Sequence, residues 1–168
     1  VGDLGIGDLV ITEIMHHPAA VKDSVGEWFE LLNGRDACVD LLGLVLRSDG
    51  EPPHTVAKSV VAAPGGYVVL GRNADPAKNG GIAVSYSYGD ALDLRREDVL
   101  AVATPAGDLD TTAWQGLFAP HGASRSLDPS CLLPFCNNYE HAFCEAPKLI
   151  PGSTDRGSPG RENDPCPP

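Results

Sequence analysis

The chain has 168 residues, 42% of them hydrophobic, which is enough to bury a core of its own, and no apolar run approaches the roughly 18 residues of a membrane-spanning helix. Twelve Lys and Arg stand against 23 Asp and Glu, for a formal net charge of −11. The basic residues are scattered, and Arg95–Arg96 is followed at once by Glu97–Asp98, so binding to nucleic acid or to an anionic membrane surface is not expected.

In chain order, DLVITEIM (8–15) is β-branched and apolar enough for a strand; PAAVKDSVG after it reads as a loop. EWFELLN (27–33) is a second strand, closed by the turn NGRD. VDLLGLVLRSDG (39–50) is one strand, or two short ones kinked at Gly43, ending in a turn at Asp49–Gly50. HTVAKSVVAAPGG carries a weaker strand and a turn at Pro64–Gly65–Gly66, and YVVLGRN (67–73) a strong strand. A loop follows, with strand character around Ile82–Tyr86. Two strands, Leu92–Leu94 and Val99–Ala103, flank a charged turn. Another lies near Asp110–Trp114, and GASRSLDP (122–129) supplies the last before an irregular, cysteine-bearing tail. No segment keeps a helical period over three turns. With 19 Gly and 15 Pro as punctuation, about nine short strands predict an all-β sandwich or barrel: one domain, its core over about 8–130 and its tail over 131–168.

Cys38 stands alone, whereas Cys131, Cys136, Cys144 and Cys166 crowd the tail. No C-x-x-C pair is present, which disfavours zinc, and a Pro-rich tail of this kind suggests disulfides formed in an oxidising compartment. The odd count leaves one thiol over and the connectivity open.

ITEIMHHP (11–18) gathers Glu13, His16 and His17. Strict alternation puts Leu9, Ile11, Glu13 and Met15 on one face and Val10, Thr12 and Ile14 on the other. His16 and His17 then point apart and cannot easily converge on one ion, so the stretch reads as a strand end. Nothing in the sequence brings His54, His121 or His141 near. Glu13 interrupts an apolar row, as Glu30 does beside Trp28 and Leu32. Buried and ionised, each would cost several kcal/mol unless paired. Arg125 is the candidate partner, with Arg47 second; an exposed sheet edge or a functional acid pair are the other readings. GRNADPAKNGG offers Asn73, Asp75 and Asn79, but a single carboxylate is poor for calcium and these residue types equally serve turns. Glu13, His16, His17 and Asp75 are therefore only weak metal candidates. No nucleophile elbow, phosphate loop or dinucleotide motif occurs, and no cofactor is expected.

The ordered series ITEIMHHPAA, GEWFELLN, VDLLGLVL and PGGYVVLGRN, continued by NGG, LDLRREDVLAV, GASRSLDP and GSPGREN, resembles the lamin tail domain in its bacterial form over roughly residues 8–163. The resemblance implies an immunoglobulin-like β-sandwich with no catalytic motif to carry over, commonly exported and attached to larger extracellular proteins. The chain departs from similar tails in having Phe143–Cys144 where Trp–Cys is frequent. It also lacks the basic surface of a nuclear lamin tail that touches DNA. In similar domains one cysteine follows an aromatic residue and another lies just past the final PGxxN, which implies a Cys144–Cys166 bridge. Cys131 and Cys136 are paired locally across a turn at Pro134, with Cys136–Cys144 the rival, and Cys38 stays free as a half-buried thiol in or beside a strand. The expected function is a non-catalytic accessory, scaffold or binding module of an exported bacterial protein, periplasmic or at the cell surface. It would sit within a larger extracellular chain and meet a protein or glycan partner. The alternative is a small metal-dependent hydrolase using Glu13, His16 and a distant His or Asp.

Overall fold

The apolar runs bounded by Gly and Pro become strands, and they divide into two facing sheets. The computed structural model describes residues 3–116, 120–133 and 135–167. Among these are twelve strands: β1 (Leu9–Met15), β2 (Trp28–Asn33), β3 (Val39–Asp40), β4 (Val45–Arg47), β5 (His54–Thr55), β6 (Val61–Ala62), β7 (Tyr67–Gly71), β8 (Tyr86–Ser87), β9 (Asp98–Thr104), β10 (Gly107–Trp114), β11 (Arg125–Leu127) and β12 (Phe143–Glu145). One helical turn, α1 (Asp23–Gly26), joins β1 to β2. A six-stranded sheet runs β12-β11-β1-β2-β7-β8, a four-stranded sheet β10-β9-β4-β5, and β3 pairs with β6. Every pairing is antiparallel except β7 with β8.

The main core lies between the two larger sheets. Leu9, Ile11, Ile14, Phe29, Leu31 and Leu70 from one sheet meet Leu46, Leu100, Val102 and Leu109 from the other. The protein is thus an all-β sandwich with two disulfides near its C-terminus. Among the described residues no helix is long and apolar enough to cross a membrane.

Three departures from simple alternation position the functional groups. First, the β1–β2 register pairs Ile11 with Leu31 but Glu13 with Glu30, so Thr12 is bulged out of the ladder. Beyond the bulge the faces exchange: Ile14 joins Leu9 and Ile11 inside, while Val10 and Met15 pack in clusters on the other face. Glu13 therefore does not share a face with Ile11, as strict alternation requires, and it looks away from the sandwich interior. Second, Leu92–Leu94 forms no strand. Both leucines are buried in the core, but the Leu94 N–H donates to the Glu27 carboxylate at 3.1 Å rather than to a neighbouring strand. Third, the tail is not wholly irregular, since β12 adds an edge to the large sheet beside β11.

The kink at Gly43 is real: its φ is +85°, and it turns the chain from β3 into β4, which lie in different sheets. A side chain in that left-handed conformation costs roughly 1–2 kcal/mol. Gly43→Ala is expected to lose about that much stability in urea unfolding, with the far-ultraviolet circular dichroism unchanged.

Candidate functional site

Two features stand out where polar groups are buried, on opposite aspects of β1. On the outer face of the large sheet, Glu13 and Glu30 are fully buried and directly opposite each other. The tail crosses above them. The Ser124 hydroxyl donates to Glu13 at 2.5 Å, and the Ser158 N–H at 2.9 Å. Thr12 donates its hydroxyl to Glu30 at 2.8 Å and Gly160 its N–H at 2.6 Å. Asn163 then fastens the tail by donating its amide to the Thr12 and Leu127 carbonyls at 2.8 and 2.9 Å. Burial pushes the Glu13 carboxyl up to about 7. Burial, reinforced by the charge of Glu13, pushes Glu30 up to about 8.

The expected ion pair of Glu13 and Glu30 with Arg125 is corrected here. The Arg125 guanidinium pairs with Glu140 at 3.4 Å and lies over the rings of Trp114 and Phe143. Arg47 pairs with Asp108. Burial favours the protonated form of both carboxyls, and hydrogen bonds from Ser124, Ser158, Thr12 and Gly160, with a smaller effect of the Arg161 charge, act against it. The bulge at Thr12 puts Glu13 on the outer face, beside Glu30, and both carboxyls are met by hydroxyl and backbone N–H groups. Near-neutral carboxyls are also the mark of catalytic acids, but these two are closed over by the chain's own tail.

The second feature is a cleft of about 850 Å³ at one end of the sandwich. Its position follows from topology. His16 and His17 leave the end of β1, Glu27 precedes β2, Arg72 follows β7, Asp93 to Arg96 precede β9, and His121 precedes β11. Because β1 runs antiparallel to β2 and β11, and β2 to β7, the junctions of these four strands fall at the same end of the large sheet, and the segment before β9 of the facing sheet closes the cleft. The His17 Nδ1 lies 3.1 Å from the Asp23 carboxylate, brought by α1. The Gly122 N–H donates to the His17 carbonyl at 2.9 Å, and the His17 and His121 ring centroids are 4.3 Å apart. His16 is different: it is only 4% exposed, its ring sits 6.4 Å from that of Trp114, and among the described residues its Nδ1 has no hydrogen-bond partner. Burial, with a smaller contribution from the Arg125 charge, pushes the imidazole down to about 4, so it is neutral at physiological pH.

Arg72 ties the other wall together. Its guanidinium reaches Glu27 at 3.1 Å, Asp93 at 2.8 Å and Asp90 at 3.3 Å, while its buried Nε has no partner among the described residues. Burial pushes Glu27 up to about 7, against the lowering effect of the Leu94 N–H and Arg72. Removing the guanidinium deletes one of the two groups that favour the carboxylate, and with it both a charge and a hydrogen bond. Glu27 in Arg72→Ala is therefore expected to titrate still higher. Because a raised carboxyl loses stability as pH climbs through its folded pKa, this variant should lose more stability between pH 6 and 9 than the parent does, as followed by urea unfolding.

The metal reading is not assembled. His17 lines the cleft beside Asp23, but Glu13 lies under the tail, bonded to Ser124 and Ser158, so Glu13 and His16 share no partner. Asp75 accepts the Ala77 N–H at 3.1 Å and pairs with Lys78 at 3.4 Å, while Asn79 donates to the Asn73 and Ile82 carbonyls, which makes the segment a hydrogen-bonded turn. Among the described residues no three His, Cys, Asp or Glu side chains converge as a ligand set.

Cys144 and Cys166 form one disulfide, with Cα atoms 5.7 Å apart, and Cys131 and Cys136 a second, at 5.3 Å. The turn expected at Pro134 lies outside the described residues. Cys38 is free beside β3, and it is exposed rather than half-buried. No protein-family model matches the chain, and no curated protein matches it in sequence. The likeness to the lamin tail therefore remains one of ordered motifs.

The sequence singled out His16 and His17 but missed Asp23, Glu27, Arg72, Asp93 and His121 as their neighbours. Only Glu27 had a local signal, a charged residue at the head of an apolar strand. Asp23 is brought by the turn of α1, and Arg72 and His121 meet the rest through the pairing of β7 with β2 and of β1 with β11, separations that periodicity does not report.

Proposed function

We propose that this chain is a non-catalytic accessory module of an exported or cell-surface protein, of the lamin tail type, which presents the histidine-lined end of its sandwich to a ligand. The observation that carries the reading is the tail. It runs from β12 back across β1 and β2, and the Cys144–Cys166 bridge anchors its far end to β12. A tail fixed in this way suits an oxidising compartment, where the bridge persists. It also leaves the large sheet's outer face occupied and the cleft end open. Within the cleft each carboxylate is already bonded to an arginine or a histidine, which favours holding a ligand over transforming one.

Oxidised protein, purified without reductant, should be incubated with extracellular proteins and glycans and each ligand analysed before and after. The expected result is saturable binding with every bound ligand recovered intact. Turnover of a ligand, abolished by His17→Ala, would overturn the non-catalytic reading.

A further inference from the structure

We propose that the cleft binds an uncharged, polyhydroxylated ligand, a short stretch of neutral glycan. The inference rests on the binding-module reading above and supplies its ligand class. Charge is the first argument. Arg72 is neutralised by Glu27, Asp93 and Asp90, and Arg95 donates to Glu51 at 2.6 Å and to the Asp49 carbonyl. Arg96 donates twice to the Gly116 carbonyl, and Asp23 holds His17. A phosphate, sulfate or uronate would have to displace a carboxylate from Arg72 or Arg95, or the Gly116 carbonyl from Arg96, and approach a chain of net charge −11. A cationic ligand would have to displace an arginine from its acids. A neutral ligand displaces only water.

The second argument is what the cleft leaves unsatisfied. His16 is more than nine-tenths buried, yet among the described residues neither its Nδ1 nor the Arg72 Nε beside the same cleft has a hydrogen-bond partner. A buried polar atom without a partner costs about 1–3 kcal/mol. One is an imidazole nitrogen and the other an N–H that can only donate. A hydroxyl both donates and accepts, so it suits either atom once the lining side chain turns to meet it, whereas a carboxylate only accepts and an ammonium only donates. The third argument is shape. The exposed His17 and His121 rings, 4.3 Å apart, offer flat faces at the rim against which the C–H face of a pyranose can lie. The cleft volume of about 850 Å³ falls within the range of small-ligand sites, roughly 300–1,000 Å³.

The test is a nuclear magnetic resonance titration of isotope-labelled, oxidised protein. The probes are cellotetraose, chitotetraose, mannotetraose and maltotetraose, run beside a heparin tetrasaccharide and inorganic phosphate. At least one neutral tetrasaccharide is expected to shift the His16, His17 and His121 ring signals and the Arg72 Nε signal saturably, with little dependence on salt. His121→Ala, an exposed change, is expected to weaken that binding about tenfold without altering the thermal midpoint. Failure of all four sugars to move these signals would overturn the proposal. So would salt-sensitive binding of heparin or phosphate in the cleft. A sugar that instead shifts only the groove of Trp114, Gln115, Asn138 and Tyr139 overturns the cleft assignment and leaves the binding-module reading standing. A sugar bound in the cleft and then cleaved upholds the site and overturns the non-catalytic reading.

Discussion

Stability is expected to fall as the pH is raised from about 5 to 8, the reverse of the acid sensitivity usual for an acidic protein. Glu13 and Glu30 ordinarily titrate at 4.5, and in the fold they titrate at about 7 and about 8. A carboxyl with a raised folded pKa binds its proton more tightly when folded. Its contribution is complete below the unfolded value and is lost as pH climbs through the folded one. For Glu13 alone the change from 4.5 to about 7 corresponds to about 3 kcal/mol. Glu27, raised to about 7, and Asp110, raised to about 6, act in the same direction. His16 opposes them. Its folded pKa is lowered from 6.5 to about 4, so it adds stability as pH rises between those values. Four acids outweigh one base, and the maximum is expected near pH 5. Glu30→Gln keeps the volume and an acceptor for the Gly160 N–H but cannot ionise. It should match the parent near pH 5 and exceed it by a few kcal/mol at pH 8. Urea unfolding at five or six pH values decides this. A parent curve that rises steadily from pH 5 to 8 would show that the pair is not buried as described.

Cutting the Cys144–Cys166 bridge, in Cys144→Ser/Cys166→Ser, is expected to cost about 3 kcal/mol. The bridge closes a sequence separation of 22, and chain entropy sets a value of that size for such a loop. Cys131–Cys136, with a separation of only 5, is expected to contribute about 2 kcal/mol. The two losses differ more in kind than in size. The first bridge holds the segment that covers Glu13 and Glu30, so without it the tail can lift and let the carboxyls meet water. Amide exchange at Ser158 and Gly160 should then outpace that of β1 and β2, increasingly so as pH rises above 7. In Cys131→Ser/Cys136→Ser those amides should stay as protected as in the parent. Equal exchange in the two variants would mean that the tail is held by something other than the Cys144–Cys166 bridge.

The long strands β1, β2, β7 and β9 were legible because they are runs rich in β-branched and apolar residues with Gly, Pro or Asn at or near their ends. Gly43 was legible as a kink because the conformation there needs glycine. The bulge at Thr12 was not, since the ladder is broken there with no Gly or Pro in LVITEIM to mark it, and that one residue reverses the face on which Glu13 lies. Leu92 and Leu94 alternate like a strand because they fill the core, yet the adjacent backbone bonds to a side chain. The buried carboxyls were correctly singled out as an anomaly. Their partners were missed because serine, threonine and backbone N–H groups leave no charge complement in a sequence. The cleft was the least legible part. His17 and His121 are distant in sequence and meet only because β11 pairs with β1.

The most direct measurement is non-reducing peptide mapping of protein alkylated during purification without reductant. A sandwich whose tail is locked by disulfides predicts one peptide joining Cys144 to Cys166, another joining Cys131 to Cys136, and a single alkylated thiol at Cys38. Five alkylated cysteines, or a bridge from Cys136 to Cys144, would contradict it.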